Sequence, residues 1–163
     1  MLQIGILGLG EGRSAMSAAL QSTKLHLKMV CDANEDLCKI RADEFKFHQY
    51  TTSYETMLAD SDIDIIAIYT PDHLHASHIK QALEHNKHVI CTKPLIDNLA
   101  DALELVALQK ASGKKVFVGQ SSRFFEPYKR QRQDFEAGVI GELITIESHY
   151  NADHRWLLAK PWA

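Results

Sequence analysis

The chain has 163 residues, 45% hydrophobic and 24% charged with a net charge of −3, which suits one ordinary globular domain and part of another. A domain of about 150 residues buries roughly 68–70% of its unfolded surface, so neither disulfides nor a structural metal is required. The charge balance argues against a nucleic-acid or anionic-membrane surface. No apolar run nears the ~18 residues of a membrane span, and the apolar N-terminus lacks the basic lead and cleavage site of a signal peptide.

Gln3 to Leu7 reads as the first strand. It ends in Gly8-Leu9-Gly10-Glu11-Gly12-Arg13, and a helical pattern follows from Ser14 to Leu20, with Ala15, Ala18 and Ala19 as its inner face. Strand, glycine turn and helix in that order make a phosphate-binding device. Gly8 allows the tight turn, and Gly10 leaves no Cβ between the backbone and an approaching pyrophosphate. The new helix points its free N–H groups at the anion. Leu25 to Val30 alternates apolar and polar as a half-buried strand and ends at Cys31-Asp32. Leu37 and Ile40 mark a helix face, Gln49 to Thr51 a short edge strand, and Ser53 caps a short helix to Leu58.

Ile63 to Tyr69 is almost wholly apolar, as expected of a parallel strand covered on both faces. Thr70-Pro71-Asp72 ends it, and a helix runs from about His75 to His85. His88 to Cys91 is the next strand, stopped by Lys93-Pro94. Asp97 or Asn98 then caps a long helix whose core face reads as Leu99, Ala102, Leu103, Val106 and Ala107, closed by Gly113. Val116 to Val118 is a sixth strand.

Alternating strands and helices predict an α/β fold: a doubly wound parallel Rossmann sheet of order 3-2-1-4-5-6, with the ligand outside the carboxyl ends of the strands. Gly8–Gly12, Asp32, Thr70–Asp72, Thr92–Pro94 and Gln120–Arg123 all fall at such ends. After residue 120 the character changes. A helix from Pro127 to about Ala137 precedes 143–150, which reads as a strand, and Trp156 and Trp162 follow. Large aromatics need a core. The expected division is a dinucleotide-binding domain over 1–122 and, over 123–163, the start of a truncated second, sheet-based domain. A C-terminal arm packed on its own domain or a neighbouring chain is the alternative.

These motifs carry a resemblance. Gly8-Leu9-Gly10, Tyr69-Thr70-Pro71-Asp72-His73-Leu74-His75, Cys91-Thr92-Lys93-Pro94 and Arg123-Phe124-Phe125-Glu126-Pro127, in this order, resemble the N-terminal half of the Gfo/Idh/MocA family of NAD(P)-dependent oxidoreductases. The resemblance implies NAD as cofactor, a sugar, polyol or inositol-like substrate, and a second, open-faced α+β sheet domain for substrate binding and oligomerisation that the strand at 143–150 would begin. It departs from the family twice. The third small residue of the glycine fingerprint falls at Arg13, so either Gly12 shifts the turn by one or Arg13 points outward toward phosphate. The usual Glu-Lys-Pro is Thr92-Lys93-Pro94, which keeps the lysine and loses a carboxylate.

The candidate cofactor site therefore comprises Gly8, Gly10, Glu11, Gly12, Arg13, Asp32, Thr70, Pro71, Asp72, His75, Thr92, Lys93, Pro94, Gln120 and Arg123. Asp32 sits near the spacing of an acid that accepts from the adenosine ribose hydroxyls, and its charge favours NAD over NADP. The bland reading is a helix-capping Asp, and Arg13 leaves NADP open. Thr70 to Asp72 and His75 resemble the family's loop beside the nicotinamide ribose. Lys93 is the catalytic candidate, since an ammonium beside a carbinol oxygen stabilises a developing alkoxide; a surface lysine before a helix is the bland reading. The resemblance also suggests a cis Lys93–Pro94 bond. His73, His75 and His78 lack a completing Cys or carboxylate set for zinc and read as solvated histidines at a helix start, so no metal is expected. Cys31, Cys38 and Cys91 read as reduced thiols in a cytoplasmic protein, with Cys91 a core residue.

Two other functions use the same residues. A non-catalytic nucleotide sensor would keep the cleft and dispense with Lys93. An S-adenosylmethionine methyltransferase usually carries an acid before the first glycine, where this chain has Ile6 and Leu7. The strand at 143–150 either pairs with a second copy to give a homo-oligomer or belongs to a disordered tail.

Overall fold

The computed structural model describes residues 1–153 and Arg155. Strands β1 (Leu2–Leu7), β2 (Leu25–Cys31), β3 (Tyr50–Thr51), β4 (Ile65–Ile68), β5 (His88–Thr92) and β6 (Val116–Gly119) form one sheet in the order β3-β2-β1-β4-β5-β6. Every pairing is parallel. Helices α1 (Arg13–Gln21), α2 (Glu35–Phe45), α3 (Tyr54–Ala59), α4 (His75–Glu84) and α5 (Leu99–Ser112) make the crossovers. This is the expected Rossmann order.

The side-chain period explains why β4 is apolar throughout. Ile66 and Ile68 pack with α3 and α4 on one face, while Ile65 and Ala67 pack with α1 and α2 on the other. Neither face meets water, so neither tolerates a polar residue. Local caps set the helix starts. Asn34 accepts from Leu37 N–H (3.1 Å), Ser53 from Thr56 N–H (3.2 Å) and Asn98 from Asp101 N–H (2.9 Å). Asn98, not Asp97, thus caps α5, and Gly113 closes it in the left-handed region.

Three expectations are corrected. In α1 the buried residues are Met16 and Ala19, while Ala18 is exposed. In α5 Leu99, Leu103 and Val106 face solvent, and Leu105 is buried with Leu108 packed behind it. That helix is apolar round most of its circumference, so periodicity does not choose a face; packing against α4 does. Residues 143–150 form no strand. Ile144 is 92% exposed and Ile146 72%, and neither belongs to a sheet ladder. Alternation predicts a strand only where a partner supplies the ladder.

Contacts divide the chain into two compact units, Met1–Gly119 and a second from Gln120 onward. The second opens with a 3-10 turn, Ser121–Phe124, and continues into α6 (Glu126–Glu136), with Pro127 in its first turn. Arg130 pairs with Asp134 and Arg132 with Glu136 one turn on, and Lys129 pairs back to Glu126, so these cations lie on a solvated helix face. His154, Trp156 and Trp162 lie outside the described residues.

Candidate dinucleotide site

The glycine turn is shaped by contacts that forbid side chains. Gly8 has φ +88°, and a Cβ there would lie 2.6 Å from the Tyr69 carbonyl oxygen. Its N–H donates to Cys31 O (2.8 Å), and Tyr69 N–H donates to Leu7 O (2.7 Å), so the ends of β1, β2 and β4 meet at this residue. A Cβ on Gly12 would lie 2.1 Å from Gly8 O and 3.1 Å from Ile6 Cγ2. Gly12 therefore provides the close helix–strand approach that the fingerprint puts one residue later. A Cβ on Gly10 would meet nothing within 4 Å. Gly10 is exposed, and no side chain caps α1. An open glycine beneath an uncapped helix N-terminus is a cradle that fits a pyrophosphate.

Arg13 is exposed but partnered. Its guanidinium pairs with Glu44 of α2 (Nε to Oε1, 2.6 Å) and lies over the Phe45 ring. The Arg13 hydrogen bond, ahead of its charge, holds the Glu44 carboxyl below the usual range. Arg41 joins the same carboxylate and donates through Nε to Leu9 O (3.0 Å). Sequence reasoning missed Arg41 and Glu44, since nothing local marks a solvated helix charge as a loop tether.

Asp32 lies just beyond β2. Oδ2 accepts from Leu9 N–H (2.7 Å) and Oδ1 from Asn34 N–H (2.9 Å). It does not cap α2, because Asn34 does. An ionised carboxylate has about four acceptor positions, so two remain for other donors. Asp32 therefore joins the glycine loop to the end of β2 with capacity left over.

Past β4, Thr70 and Pro71 are half-buried and Asp72 opens a 3-10 turn into α4. Of the three histidines here His73 is exposed as expected, whereas His75 is buried and His78 half-buried, contrary to expectation. His75 is 0% exposed, with Nδ1 2.7 Å from Pro94 O and Nε2 2.8 Å from Thr70 O. His78 sits 3.0 Å from Thr70 Oγ1, and burial, then the nearby His75 and His73, lower its pKa. Helical spacing puts 75 and 78 on one face; that this face is turned inward was not legible. Lys93 is exposed after β5, and its bond to Pro94 is cis. Thr92 is half-buried and Pro94 exposed. Burial raises the Cys91 thiol to about 12, with a smaller contribution from Asp72, which removes its nucleophilicity. Glu11 is exposed on the loop. Gln120 and Arg123 belong to the second unit.

A parallel 3-2-1-4-5-6 sheet with a glycine turn after β1 and an acid after β2 defines a dinucleotide-binding Rossmann domain. The model of the oxidoreductase family with NAD-binding Rossmann fold (Gfo/Idh/MocA) matches residues 2–120. The chain belongs to this family of NAD-binding Rossmann folds. An uncharacterised oxidoreductase of Bacillus subtilis, YrbE, is 32% identical over 88% of this chain and 43% of its own length. Inositol 2-dehydrogenase of Salmonella paratyphi B is 27% identical over 93% of this chain and 46% of its own. The crystal structure of an NAD-binding protein from Listeria innocua superposes with a TM-score of 0.80, at 31% identity over 86% of this chain and 42% of that one. The chain thus spans less than half the length of these relatives.

Proposed function

We propose that this chain is the cofactor-binding portion of an oxidoreductase that moves hydride between NAD and a hydroxyl of a sugar, polyol or inositol-like compound, with residues 1–122 as the dinucleotide domain and 123–163 as the start of a substrate domain. The observation that carries the reading is the open Gly10 below the uncapped α1, flanked by an Asp32 carboxylate with acceptor positions to spare. Gly8, Gly10 and Gly12, with Glu11 on the loop rim, would hold the pyrophosphate. Asp32 would accept from the adenosine ribose diol and repel a 2′-phosphate. Arg13, paired with Glu44, is not directed to receive that phosphate. Thr70, Pro71, Asp72 and His75 would shape the nicotinamide end together with Thr92 and Pro94. Gln120 and Arg123 are assigned to the same end by family position alone.

Bound nicotinamide supplies the hydride acceptor. The proton falls to Lys93. A neutral Lys93 amine would take the carbinol proton as hydride leaves, and the ammonium so formed would stabilise the negative charge developing on the oxygen. The inositol and levoglucosan dehydrogenases among the relatives support a polyhydroxy substrate. Calorimetry tests the reading: micromolar NAD binding, about −8 kcal/mol, with NADP at least ~10-fold weaker. Binding of neither dinucleotide would overturn it. Lys93→Ala should leave NAD affinity within about 2-fold in the full-length protein while removing turnover; unchanged turnover would take the proton-transfer role from Lys93, and NAD binding with no turnover in the unsubstituted protein would point to a sensor.

A further inference from the structure

The turn that carries Lys93 is held from inside the fold. The buried ring of His75, the first residue of α4, lies between two backbone carbonyls, Pro94 O at 2.7 Å from Nδ1 and Thr70 O at 2.8 Å from Nε2. One turn on, His78 holds the Thr70 hydroxyl, and the Tyr54 hydroxyl of α3 donates to His78 O at 2.9 Å. The Tyr54 ring meets the His78 ring edge-on, with centroids 5.1 Å apart. One face of α4 thus grips the end of β4 at two atoms, and the same His75 ring reaches across to the turn after β5. His75 has no exposed surface, so it touches no ligand from the solvent side. Lys93, one residue before its anchor, is exposed. A carbonyl oxygen only accepts. The contact with Pro94 is therefore a hydrogen bond when Nδ1 carries the hydrogen, and both contacts are when both nitrogens do.

We infer that His75 is a positioning residue for the lysine: its Nδ1–H donates to the Pro94 carbonyl and fixes the turn from which Lys93 is presented. The inference rests on the reading of Lys93 given under the proposed function. It has the logic of an outer partner that orients an inner group. Two isosteres separate positioning from mere filling of space. His75→Asn keeps an N–H near the Nδ1 place, facing Pro94; His75→Gln moves it to the Nε2 place, facing Thr70.

In the 163-residue chain without cofactor, the ring 15N spectrum should show a protonated Nδ1 at His75. The backbone amide resonances of Lys93 and Leu95 should stay at wild-type positions in His75→Asn and move in His75→Gln. A bare Nδ1 in the wild type overturns the inference, as does a folded His75→Gln whose Lys93 and Leu95 amides are unmoved. Should neither variant fold, the wild-type ring spectrum decides alone. NAD titration of the same wild-type sample is read separately. Its failure would count against the proposed function and leave the His75–Pro94 bond to be judged on the spectra.

Discussion

The loop glycines have separable roles. Gly12→Ala puts a Cβ 2.1 Å from a backbone oxygen of the same loop, which has no flexible end to swing away. The turn must open, so we expect a loss of at least ~2 kcal/mol in urea unfolding together with NAD affinity at least ~10-fold weaker. Gly10→Ala meets nothing in the protein, so stability should stay within about 0.5 kcal/mol while NAD binding alone suffers. Equal losses in both variants would mean that Gly10 is not the open floor of the site. The glycine spacing was legible in the sequence because tight turns have few solutions. Whether Gly12 or Arg13 took the packing position was not, because Glu44, about thirty residues on, decides where Arg13 points. His78 carries a pH prediction. Burial holds its folded pKa below the ordinary 6.5, so between the two values the unfolded chain binds the extra proton. Its contribution is fully present above 6.5 and is lost as pH falls toward the folded value. Thermal scans from neutral pH to about 5 should show a smaller drop in midpoint for His78→Gln than for the wild type. Identical slopes would place His78 outside the buried network.

Among the elements, β4 and α5 show what an apolar pattern can and cannot say. The run through β4 admits one interpretation, since a strand buried on both faces has no polar side to misplace. The apolar surface of α5 goes nearly all the way round, and a stripe of Leu99, Leu103 and Val106 is as regular as the one that packs. The chain resolves this only in three dimensions, where Asn98 sets the first turn and α5 packs on α4 with Leu105 and Leu108 in the core cluster. The consequence is measurable. Leu105, 6% exposed, should cost about 2–4 kcal/mol when cut to Ala, whereas Leu103, 67% exposed, should cost under about 0.5 kcal/mol in the same denaturation assay. The reverse order would restore the stripe read from periodicity and put α5 the wrong way round. The 143–150 segment fails for a different reason: its alternation is genuine, but pairing depends on a neighbour that no local pattern reports.

At the scale of the whole molecule, the bonds that build the candidate site lie inside Met1–Gly119: Leu9 to Asp32, Arg41 to Leu9, and His75 to Thr70 and Pro94. Both core clusters lie there too. The second unit contributes a charged helix and a set of exposed apolar residues, Phe124, Phe135, Ile144 and Tyr150 among them. Such surface favours association. A chain ending at Gln120, where the family match ends, should therefore fold and bind NAD within about 3-fold of the 163-residue chain, since little of the required geometry is removed. By light scattering it should be monomeric, while the longer chain forms dimers or larger species through its apolar segment. Calorimetry and scattering on the two chains read different claims. A loss of NAD affinity beyond ~10-fold would mean that residues after Gln120 are needed for cofactor binding. Equal monomer masses would end the case for association through 143–150, because a segment with Ile144 and Ile146 bare to water would then have no use for a second copy.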